Sequence, residues 1–377
     1  MPFSDIIEQD RSKKLLRRIL ASGRIPHAFL FTGPWGVGKT ATALTAARAL
    51  CCAHGPADAC EECPSCKKAR RFNHPDIHFF FAMPSFKKDE DAAKARRAVL
   101  DDMVEDPFHV VQFEKAHSIG IGVIREIKRQ TYLRPVEDRH RVMVISRAEK
   151  MTEEASNSLL KVLEEPSEDV VFFLTAAKPD WLLPTIVSRC REISFAPLSY
   201  EAVARVLEER AGLAPERASL AAALSRGSLA AALVHGDEDL ASWRDRALEL
   251  FDSGAPGEDR ELHSRVQGLL SGEGRAAIGR AVEIMRVWCR DLLLKRSGAP
   301  DSLIANRDRM KRLSAEAGAL TVEDISRRAA VLEDMVDLVE ANVNPSLILY
   351  SGVLRYSDPS LAPDSIARSF PRSLFAG

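Results

Sequence analysis

The chain lacks the features that mark membrane proteins, secreted proteins and proteins that grip DNA by themselves. Its 377 residues contain no uninterrupted apolar run of the ~18 residues that a membrane-spanning helix needs. The first fourteen residues carry acids and no apolar core, so we expect no secretory signal and a cytoplasmic location. The formal net charge is −1, whereas DNA-binding domains usually have a strong basic excess. Any contact with nucleic acid is therefore expected to be local or shared with other chains.

Cysteine is scarce outside one short segment. Of seven cysteines, five lie in the run CCAHGPADACEECPSC at residues 51–66, which in a reducing compartment is typical of a metal site rather than of disulfide bonds. Cys60, Cys63 and Cys66 form two overlapping CxxC units. Either Cys51 or Cys52 can supply a fourth thiolate, because spacing alone does not choose between them. Four thiolates predict a closed, structural zinc site, and a redox thiol pair is the alternative.

The segment GPWGVGKT, at residues 33–40, has the GxxxxGK[ST] pattern of a phosphate-binding loop. It follows an apolar run typical of a buried strand and precedes an Ala- and Leu-rich run typical of a helix, which is the context such a loop requires. In this pattern Lys39 supplies charge for the β- and γ-phosphates, and Thr40 supplies a hydroxyl to Mg²⁺. The residues expected to bind ATP with Mg²⁺ are Gly33, Gly36, Val37, Gly38, Lys39, Thr40 and Ala41.

Apolar strands alternate with amphipathic helices through the first half of the chain. The predicted elements are strands at 27–33, 78–84, 141–146 and 170–177 and helices at 41–50, 121–135 and 152–166. This alternation predicts an α/β fold with a doubly wound parallel sheet. The highly charged stretch 87–106 has no counterpart in that plan, and we interpret it as a solvated insertion. Beyond residue 200 the strands disappear, and the sequence is predicted to be helical to about residue 356.

The residues needed to hydrolyse ATP are missing from the expected place. Phosphate-loop ATPases carry acids at the end of a second apolar strand, one for the Mg²⁺ shell and one to orient the attacking water. Here that strand ends in Ser146 and Arg147. Serine is a poor base and arginine is always charged, so neither can accept a proton from water at neutral pH. Glu149 is the only nearby acid, and in a helical or turning segment its side chain would point elsewhere.

Four motifs occur together and in order: GPWGVGKT, the cysteine run, SNSLLKVLEEP at 156–166 and TIVSRCREI at 185–193. With them the chain, over roughly residues 3–356, resembles the AAA+ subunits of the bacterial DNA polymerase III clamp loader. The resemblance implies an AAA+ P-loop NTPase core with an inserted zinc knuckle, a small helical lid and an all-α collar. The corresponding bounds are 1–195 for the core, 51–66 for its knuckle, 196–240 for the lid, 241–356 for the collar and 357–377 for a tail.

Two subunit types share this architecture, and the residues favour the type without turnover. The motor type, gamma/tau, keeps an Asp–Glu pair and a lid arginine, whereas the stator type, delta prime, lacks the pair. Here Ser146 and Arg147 replace the pair, Ala230 stands at the lid arginine, and the sensor threonines are interpreted as replaced within 175–180. An active gamma/tau-like ATPase is the alternative. A zinc-dependent nucleic-acid-binding module is a third interpretation, which the neutral net charge disfavours.

The resemblance also implies site residues and partners. Arg189, in the SRC motif, is expected to act in trans as an arginine finger in the ATP site of a neighbouring subunit, and Arg191 is the competing candidate for the same role. The zinc ligands selected by the family's register are Cys51, Cys60, Cys63 and Cys66. The expected partners are gamma/tau and delta subunits in a hetero-pentamer, the sliding clamp, and primed DNA through the complex, with Lys128 and Arg129 as candidate DNA contacts. The resemblance implies that the whole assembly is a nucleotidyltransferase, within which this chain is expected to bind ATP without turnover.

Overall fold

The computed structural model describes residues 1–106, 111, 113, 117–236, 239–254, 259–271, 274–341, 343–358 and 361. They form two compact units, one of Met1–Ala202 with Gly227–Ala231 and one of Val203–Arg226 with Ala232–Gly377. The predicted lid, residues 196–240, is thus divided between the units. The division into core, lid and collar stays a prediction, and the predicted tail lies almost entirely outside the described residues.

The centre of the first unit is a parallel sheet, as the alternating sequence pattern predicts. Its strands are β1 (Ala28–Thr32), β2 (Ile77–Phe81), β5 (Arg141–Ser146), β6 (Val170–Ala176) and β7 (Arg191–Ser194), in the order β2-β5-β6-β1-β7. All four pairings are parallel. Two short strands, β3 (Met83–Pro84) and β4 (His117–Ser118), form a separate antiparallel pair, so the predicted strand at 78–84 is divided between β2 and β3.

Both faces of the sheet are buried, because every residue of β1, β5 and β6 is buried and nearly all are apolar or β-branched. Side chains alternate between the two faces: Phe29, Val144 and Phe173 belong to one apolar core, and Leu30 and Met143 belong to the other. The Phe29 and Phe173 rings stack with their centroids 4.9 Å apart. Parallel pairing brings the carboxyl ends of these strands to one edge, where Thr32 is opposite Ala176.

The helices of the first unit cover this sheet. They are α1 (Asp10–Ala21), α2 (Lys39–Leu50), α3 (Pro64–Arg70), α4 (Asp89–Glu105), α5 (Ile121–Thr131), α6 (Glu153–Glu164) and α7 (Pro184–Val187). Helix α2 packs on the central strands, and α5 packs on α6. Thr152 caps α6 by accepting the Ala155 N–H at 3.3 Å.

The charged insertion is not simply solvated, which corrects the sequence prediction. It forms α4, in which Val99, Leu100 and Met103 are only 7–8% exposed and join the core beneath them. Arg96 of the same helix donates to the carbonyl oxygen of Phe79 at 2.8 Å. The high charge of the segment hid three apolar residues at helical spacing, which are enough to dock one face of the helix.

The second unit is helical in the part of the chain that the structure describes. The helices from residue 200 onward are α8 (Tyr200–Ala211), α9 (Pro215–Leu224), α10 (Leu229–Gly236), α11 (Leu240–Asp252), α12 (Asp259–Leu270), α13 (Arg275–Arg296), α14 (Met310–Ala319), α15 (Val322–Glu340) and α16 (Pro345–Ser357). An apolar stripe on α13 packs inside this unit, since Ile278, Val282, Met285, Cys289 and Leu292 are all buried. None of the described helices combines the length and apolar character needed to cross a bilayer.

Candidate nucleotide site and metal centre

The loop between β1 and α2 has a backbone that only glycine tolerates at its turning points. The φ angles of Gly33, Gly36 and Gly38 are +132°, +76° and +95°. A Cβ atom at Gly33 would lie 2.2 Å from the carbonyl oxygen of Phe195, and one at Gly36 would lie 2.3 Å from Ser228 Oγ. Helix α2 begins at Lys39, so its unpaired N–H groups and the positive end of its dipole face the loop.

The side chain of Lys39 folds back against the phosphate loop. Its Nζ donates to the carbonyl oxygens of Gly33 and Pro34, each at 2.6 Å. Burial lowers the pKa of Lys39 to about 8, and the nearby Glu149 carboxylate opposes that shift. A partly desolvated ammonium next to exposed N–H groups is suited to an anionic ligand.

Six of the seven predicted nucleotide-binding residues, 36 to 41, line one pocket. Gly33 does not line this pocket; its carbonyl oxygen holds Lys39 instead. Ile6, Ile7 and Met103 form apolar walls that the motif gave no sign of, because they come from the segment before α1 and from the insertion helix α4. The pocket therefore combines a polar loop with apolar walls, as nucleotide sites commonly do.

Hydroxyl groups occupy the place where acids are expected. Ser146, the last residue of β5, has its Oγ 2.9 Å from Thr40 Oγ1. Arg147 adopts the left-handed region, with φ of 57°, and its N–H donates to Thr175 Oγ1 at 3.0 Å. Thr175 lines the pocket at the end of β6 together with Ala177, and the replacement of the sensor threonines within 175–180 stays a prediction.

Glu149, the only nearby acid in sequence, turns away from the pocket as expected. It lies in a 3₁₀ turn, and its side chain is 4% exposed without lining the pocket. Its Oε1 lies 3.9 Å from Arg147 Nε, and its Oε2 has no hydrogen-bond partner within the described part of the chain. From this position Glu149 acts on the site through its charge rather than through contact with a ligand.

The segment Gly227–Ala231 closes against the phosphate loop within the first unit. The Leu229 N–H donates to the carbonyl oxygen of Gly36 at 3.0 Å. Ala230, at the position where the resemblance expects a lid arginine in the motor type, lines the pocket with a methyl group. A methyl group cannot pair with a phosphate, so this wall offers no charge to a bound nucleotide.

Arg189 lies apart from the pocket of its own chain. It precedes β7, and its guanidinium donates to Glu164 Oε1 at 2.8 Å and to the carbonyl oxygen of Thr185 at 3.0 Å. The side chains of Arg189 and Glu164 are 35% and 41% exposed. Such a surface pair contributes little free energy, so the arginine can exchange it for another anion at low cost.

The cysteine cluster forms, but with Cys52 in place of Cys51. The Sγ atoms of Cys52, Cys60, Cys63 and Cys66 all lie within 4.8 Å of one another. Cys51 is the C-cap of α2, and its Sγ lies 3.9 Å from the carbonyl oxygen of His140, on the buried side of the helix end. Because the side chains of the two adjacent cysteines lie in different surroundings, only Cys52 reaches the cluster. The expected ligand Cys51 is therefore corrected to Cys52.

The donor set of this cluster fits zinc. Tetrahedral Zn–S bonds of about 2.3 Å place the sulfur atoms about 3.8 Å apart, and the Sγ atoms of Cys60 and Cys66 are separated by 3.9 Å. The N–H groups of Cys63 and Cys66 point to the sulfur atoms of Cys60 and Cys63, at 3.3 and 3.4 Å. The Cys63 N–H first, and then that of Glu62, lower the pKa of Cys60 to about 6. Four sulfur ligands leave no open position, which suits a structural rather than a catalytic ion.

Cys51 belongs to a second group, with His74 and Asp138, that is not suited to a metal. The Nδ1 atom of His74 accepts the N–H of Asp76 at 3.1 Å, so Nε2 must carry the proton of the neutral ring. That Nε2 lies 3.0 Å from Ser65 Oγ and 3.2 Å from the Asp138 carboxylate. The imidazole therefore offers no free lone pair, and the group is a buried hydrogen-bond network.

The candidate DNA contacts lie at the end of α5. Arg129 is engaged by Glu126 at 2.8 and 2.9 Å, while Lys128 is exposed. Next to them is an apolar surface that the sequence reasoning missed. It consists of Tyr132, Leu133 and Val136, which are 74%, 49% and 69% exposed, and we call it the α5 patch. Exposed apolar side chains in such a group commonly mark a protein contact.

Comparison with known proteins gives a consistent family relationship. The model of a family described as "DNA polymerase III, delta subunit" matches residues 8–199. The chain is 31% identical over 244 residues to DNA polymerase III subunit delta' of Bacillus subtilis, which covers 65% of this chain and 64% of that protein. It is 31% identical over 194 residues to DNA polymerase III subunit gamma/tau of Mycobacterium tuberculosis (strain ATCC 25618 / H37Rv), covering 51% of this chain and 28% of that protein. The alignments thus span less than two thirds of either relative.

Among solved structures, a DNA polymerase III gamma subunit-related protein from Thermotoga maritima is similar over 92% of this chain and 98% of its own. The sequence identity of that pair is 16% and the TM-score is 0.42.

Proposed function

Because the chain belongs to the DNA polymerase III delta-subunit family, we propose that it is a stator, or delta prime, subunit of the clamp loader that binds ATP without hydrolysing it. One observation carries this proposal. Among the described residues, none that lines the nucleotide pocket is an aspartate, a glutamate or a histidine. A water molecule at the γ-phosphate would find no base there to orient it or to take its proton.

Binding, in contrast, is supported by a complete set of groups. The loop has the three glycines, α2 begins behind it, and Lys39 and Thr40 line the pocket. In this proposal the N–H groups of the loop hold the phosphates, Lys39 leaves its two carbonyl partners for the β- and γ-phosphates, and Thr40 contributes a hydroxyl to Mg²⁺. The active gamma/tau-like ATPase, which remains the alternative, would need a base from outside this pocket.

In this proposal the chain contributes to ATP hydrolysis by supplying a residue to the ATP site of a neighbouring subunit. We assign Arg189 as the arginine finger for the ATP site of an adjacent gamma/tau subunit, in a hetero-pentamer that also contains delta. Support comes from its position away from its own pocket and from its weak surface pairing with Glu164. The helical second unit corresponds in this proposal to the collar, and the cysteine cluster to a structural zinc knuckle.

The complex would act on the sliding clamp and on primed DNA. The α5 patch supports contact with a protein partner such as the sliding clamp. Exposure of Tyr132 and Val136 to water does not stabilise the isolated chain. Lys128 and Arg129 remain the candidate DNA contacts, because Lys128 is exposed and the surface pair of Arg129 with Glu126 can be exchanged for a phosphate at low cost.

The proposal is tested by measuring ATP binding and ATP turnover in one sample of the purified chain, with and without primed DNA. Binding without turnover is the expected result, and Lys39→Ala should weaken the binding strongly. Turnover that disappears in Lys39→Ala would overturn the stator assignment and favour the motor alternative. Absence of binding would overturn the nucleotide part of the proposal but leave the Arg189 assignment open to its own test.

A further inference from the structure

A short segment links the cysteine cluster to the nucleotide pocket. It comprises residues 3–9, which we call the strap, and begins with a 3₁₀ turn at Phe3–Asp5. Phe3 is fully buried and Ile6 is 2% exposed, so the strap is part of the core rather than a loose extension. One end contacts the knuckle and the other contacts the phosphate loop, which helix α2 separates in the chain.

At one end the strap is fastened to the knuckle by Asp58, two positions before Cys60. The carboxylate of Asp58 accepts the N–H of Phe3 at 2.9 Å and pairs with Arg17 at 2.5 Å. The same carboxylate accepts the N–H of Ala59, which packs against the cysteine side chains. The position of Asp58 is therefore tied directly to the geometry of the cysteine cluster.

At the other end the strap forms a wall of the nucleotide pocket. Ile6 and Ile7 line it, and Gln9 Nε2 lies 3.4 Å from the carbonyl oxygen of Val37, inside the phosphate loop. Gln9 is further fixed by donating to the carbonyl oxygen of Ala196 at 2.7 Å. A displacement of the strap would thus move both an apolar wall and a hydrogen bond of the loop.

The strap is held in a conformation that the isolated segment would not favour. Glu8 and Gln9 are successive non-glycine residues in the left-handed region, with φ of 50° and 55°. Such backbone conformations cost free energy and persist only where the surroundings impose them. Here Glu8 accepts hydrogen bonds from the Ser199 N–H and Oγ–H, and Gln9 donates to the carbonyl oxygen of Ala196. A segment under this strain changes conformation readily when one of the hydrogen bonds that hold it is lost.

The knuckle has few backbone hydrogen bonds to keep it ordered, although its Glu61 pairs with the Met1 ammonium and with Arg48. Between residues 53 and 62 the described backbone hydrogen bonds are few, with the Gly55 N–H donating to the carbonyl oxygen of Cys52 at 3.1 Å. A metal ion that joins four side chains would supply the missing constraint, because metal binding and local folding are one equilibrium in such sites. Without the ion, Asp58 would lose its fixed position relative to the strap.

We propose that metal occupancy of the cluster formed by Cys52, Cys60, Cys63 and Cys66 controls nucleotide affinity through Asp58 and the strap. This proposal rests on the proposed nucleotide binding and adds a regulation to the same site. Linkage makes the effect reciprocal: zinc tightens ATP binding, and ATP tightens zinc binding by the same factor. Couplings of this kind change affinity by about 5- to 150-fold, so we expect at least a fivefold change.

The test measures the dissociation constant of ATP by calorimetry, using the full chain loaded with zinc and the same chain stripped by a chelator under reducing conditions. Circular dichroism checks that the helices persist after stripping. Zinc affinity is then measured with and without ATP. Weaker ATP binding after stripping, matched by weaker zinc binding without ATP, is the expected result. Equal ATP affinity in the two forms would overturn the coupling while leaving the proposed function intact.

A variant that keeps all four cysteines makes the test independent of chelation. Asp58→Ala should retain zinc, weaken ATP binding at least fivefold and remove the dependence of ATP affinity on zinc. Asp58→Asn keeps an acceptor for the Phe3 N–H and should recover part of the affinity. Glu62→Ala, at an exposed position of the same knuckle, is the matched control and should bind ATP normally. Normal, zinc-dependent binding by Asp58→Ala would overturn the route through the strap.

If the zinc-loaded wild-type chain does not bind ATP at all, the nucleotide part of the proposed function fails and the coupling fails with it. That outcome differs from the one in which ATP binds equally well in both metal states. The two failures are therefore distinguishable.

Discussion

Thr40 Oγ1 and Ser146 Oγ lie 2.9 Å apart, so two neutral hydroxyl groups are in contact within the nucleotide site. In a phosphate-loop ATPase a hydroxyl and a carboxylate share one magnesium ion at this place. The contact explains how the loop can be complete while the site is unsuited to hydrolysis. It is also the contact at which the metal-binding capacity of the site can be altered with a single substitution.

Ser146→Asp is expected to strengthen ATP binding in the presence of Mg²⁺ without producing turnover. A carboxylate next to Thr40 adds a hard oxygen ligand for the ion, and Arg147 still cannot act as a base. We expect about a tenfold gain in affinity, equivalent to about 1.4 kcal/mol, that vanishes when Mg²⁺ is omitted. Calorimetry of Ser146→Asp and of the neutral, similarly sized Ser146→Asn provides the comparison. An equal gain in both variants would contradict the magnesium explanation.

ATP affinity should fall as pH rises through about 8, because burial lowers the pKa of Lys39 to about 8 in the free chain. Below that pH the ammonium is already charged and ready for phosphate. Above it, binding must take up a proton, at a cost of up to tenfold in affinity per pH unit. Proton uptake is measured by calorimetry in buffers of different ionisation enthalpy. Lys39→Met should bind weakly with a flat profile over this range; a profile that keeps its slope would assign the titration to another group.

The lowered pKa of Lys39 also makes the free energy of unfolding depend on pH. The free chain binds fewer protons at Lys39 than the unfolded chain between pH 8 and the ordinary lysine pKa of 10.5. The contribution of Lys39 to the free energy of unfolding therefore rises with pH across this window, in the opposite direction to ATP affinity. Denaturant unfolding of the wild type and of Lys39→Met, compared at pH 7.5 and 9.5, isolates this contribution from other titrating groups.

Cys52→Ser should lose bound zinc, whereas Cys51→Ser should retain it. The reason is that only the Cys52 sulfur lies with those of Cys60, Cys63 and Cys66. Cys51→Ser instead places a hydroxyl in a buried position, at a cost of about 1–3 kcal/mol of stability. Metal content of the folded proteins is measured by mass spectrometry under native conditions. The opposite pattern would identify Cys51, and not Cys52, as the fourth ligand.

Arg189→Ala is expected to leave this chain's own ATP affinity unchanged and to slow ATP hydrolysis by the assembled loader. Loss of its surface pair with Glu164 should change stability by less than about 1 kcal/mol. An arginine supplied in trans contributes ~10³–10⁵ in rate in well-studied GTPases, so we expect a loss of about 10³-fold at the served site. Arg191→Ala, at an exposed position two residues away, is the control. A loss confined to Arg191→Ala would move the finger to that residue.

Several features of the fold and of the nucleotide site can be predicted from short stretches of sequence, because their physical cause lies within those stretches. The apolar runs at 141–146 and 170–177 can be satisfied only as buried strands, and they are β5 and β6. The pattern from Gly33 to Thr40 requires positive φ angles at its glycines, and the structure has them. The missing acids were likewise visible directly as Ser146 and Arg147.

Other features depended on which distant residues come together. Cys51 and Cys52 are equivalent in spacing, and only the packing of the α2 end decides which sulfur faces the cluster. Met103 lies in a segment whose charge predicts solvent, yet it reaches the nucleotide pocket. The link from Asp58 to Phe3 joins residues 55 positions apart and has no periodicity that a sequence pattern could reveal.

The sequence by itself determined the parallel α/β core, the phosphate loop and the absence of acids beside it, because these depend on hydrophobic periodicity and on residue types at fixed offsets. Tertiary structure alone decided the identity of the fourth thiolate, the walls of the pocket and the strap between metal cluster and nucleotide. Those features rest on contacts between residues far apart in the chain, and their geometry is set when the core packs rather than by any local preference.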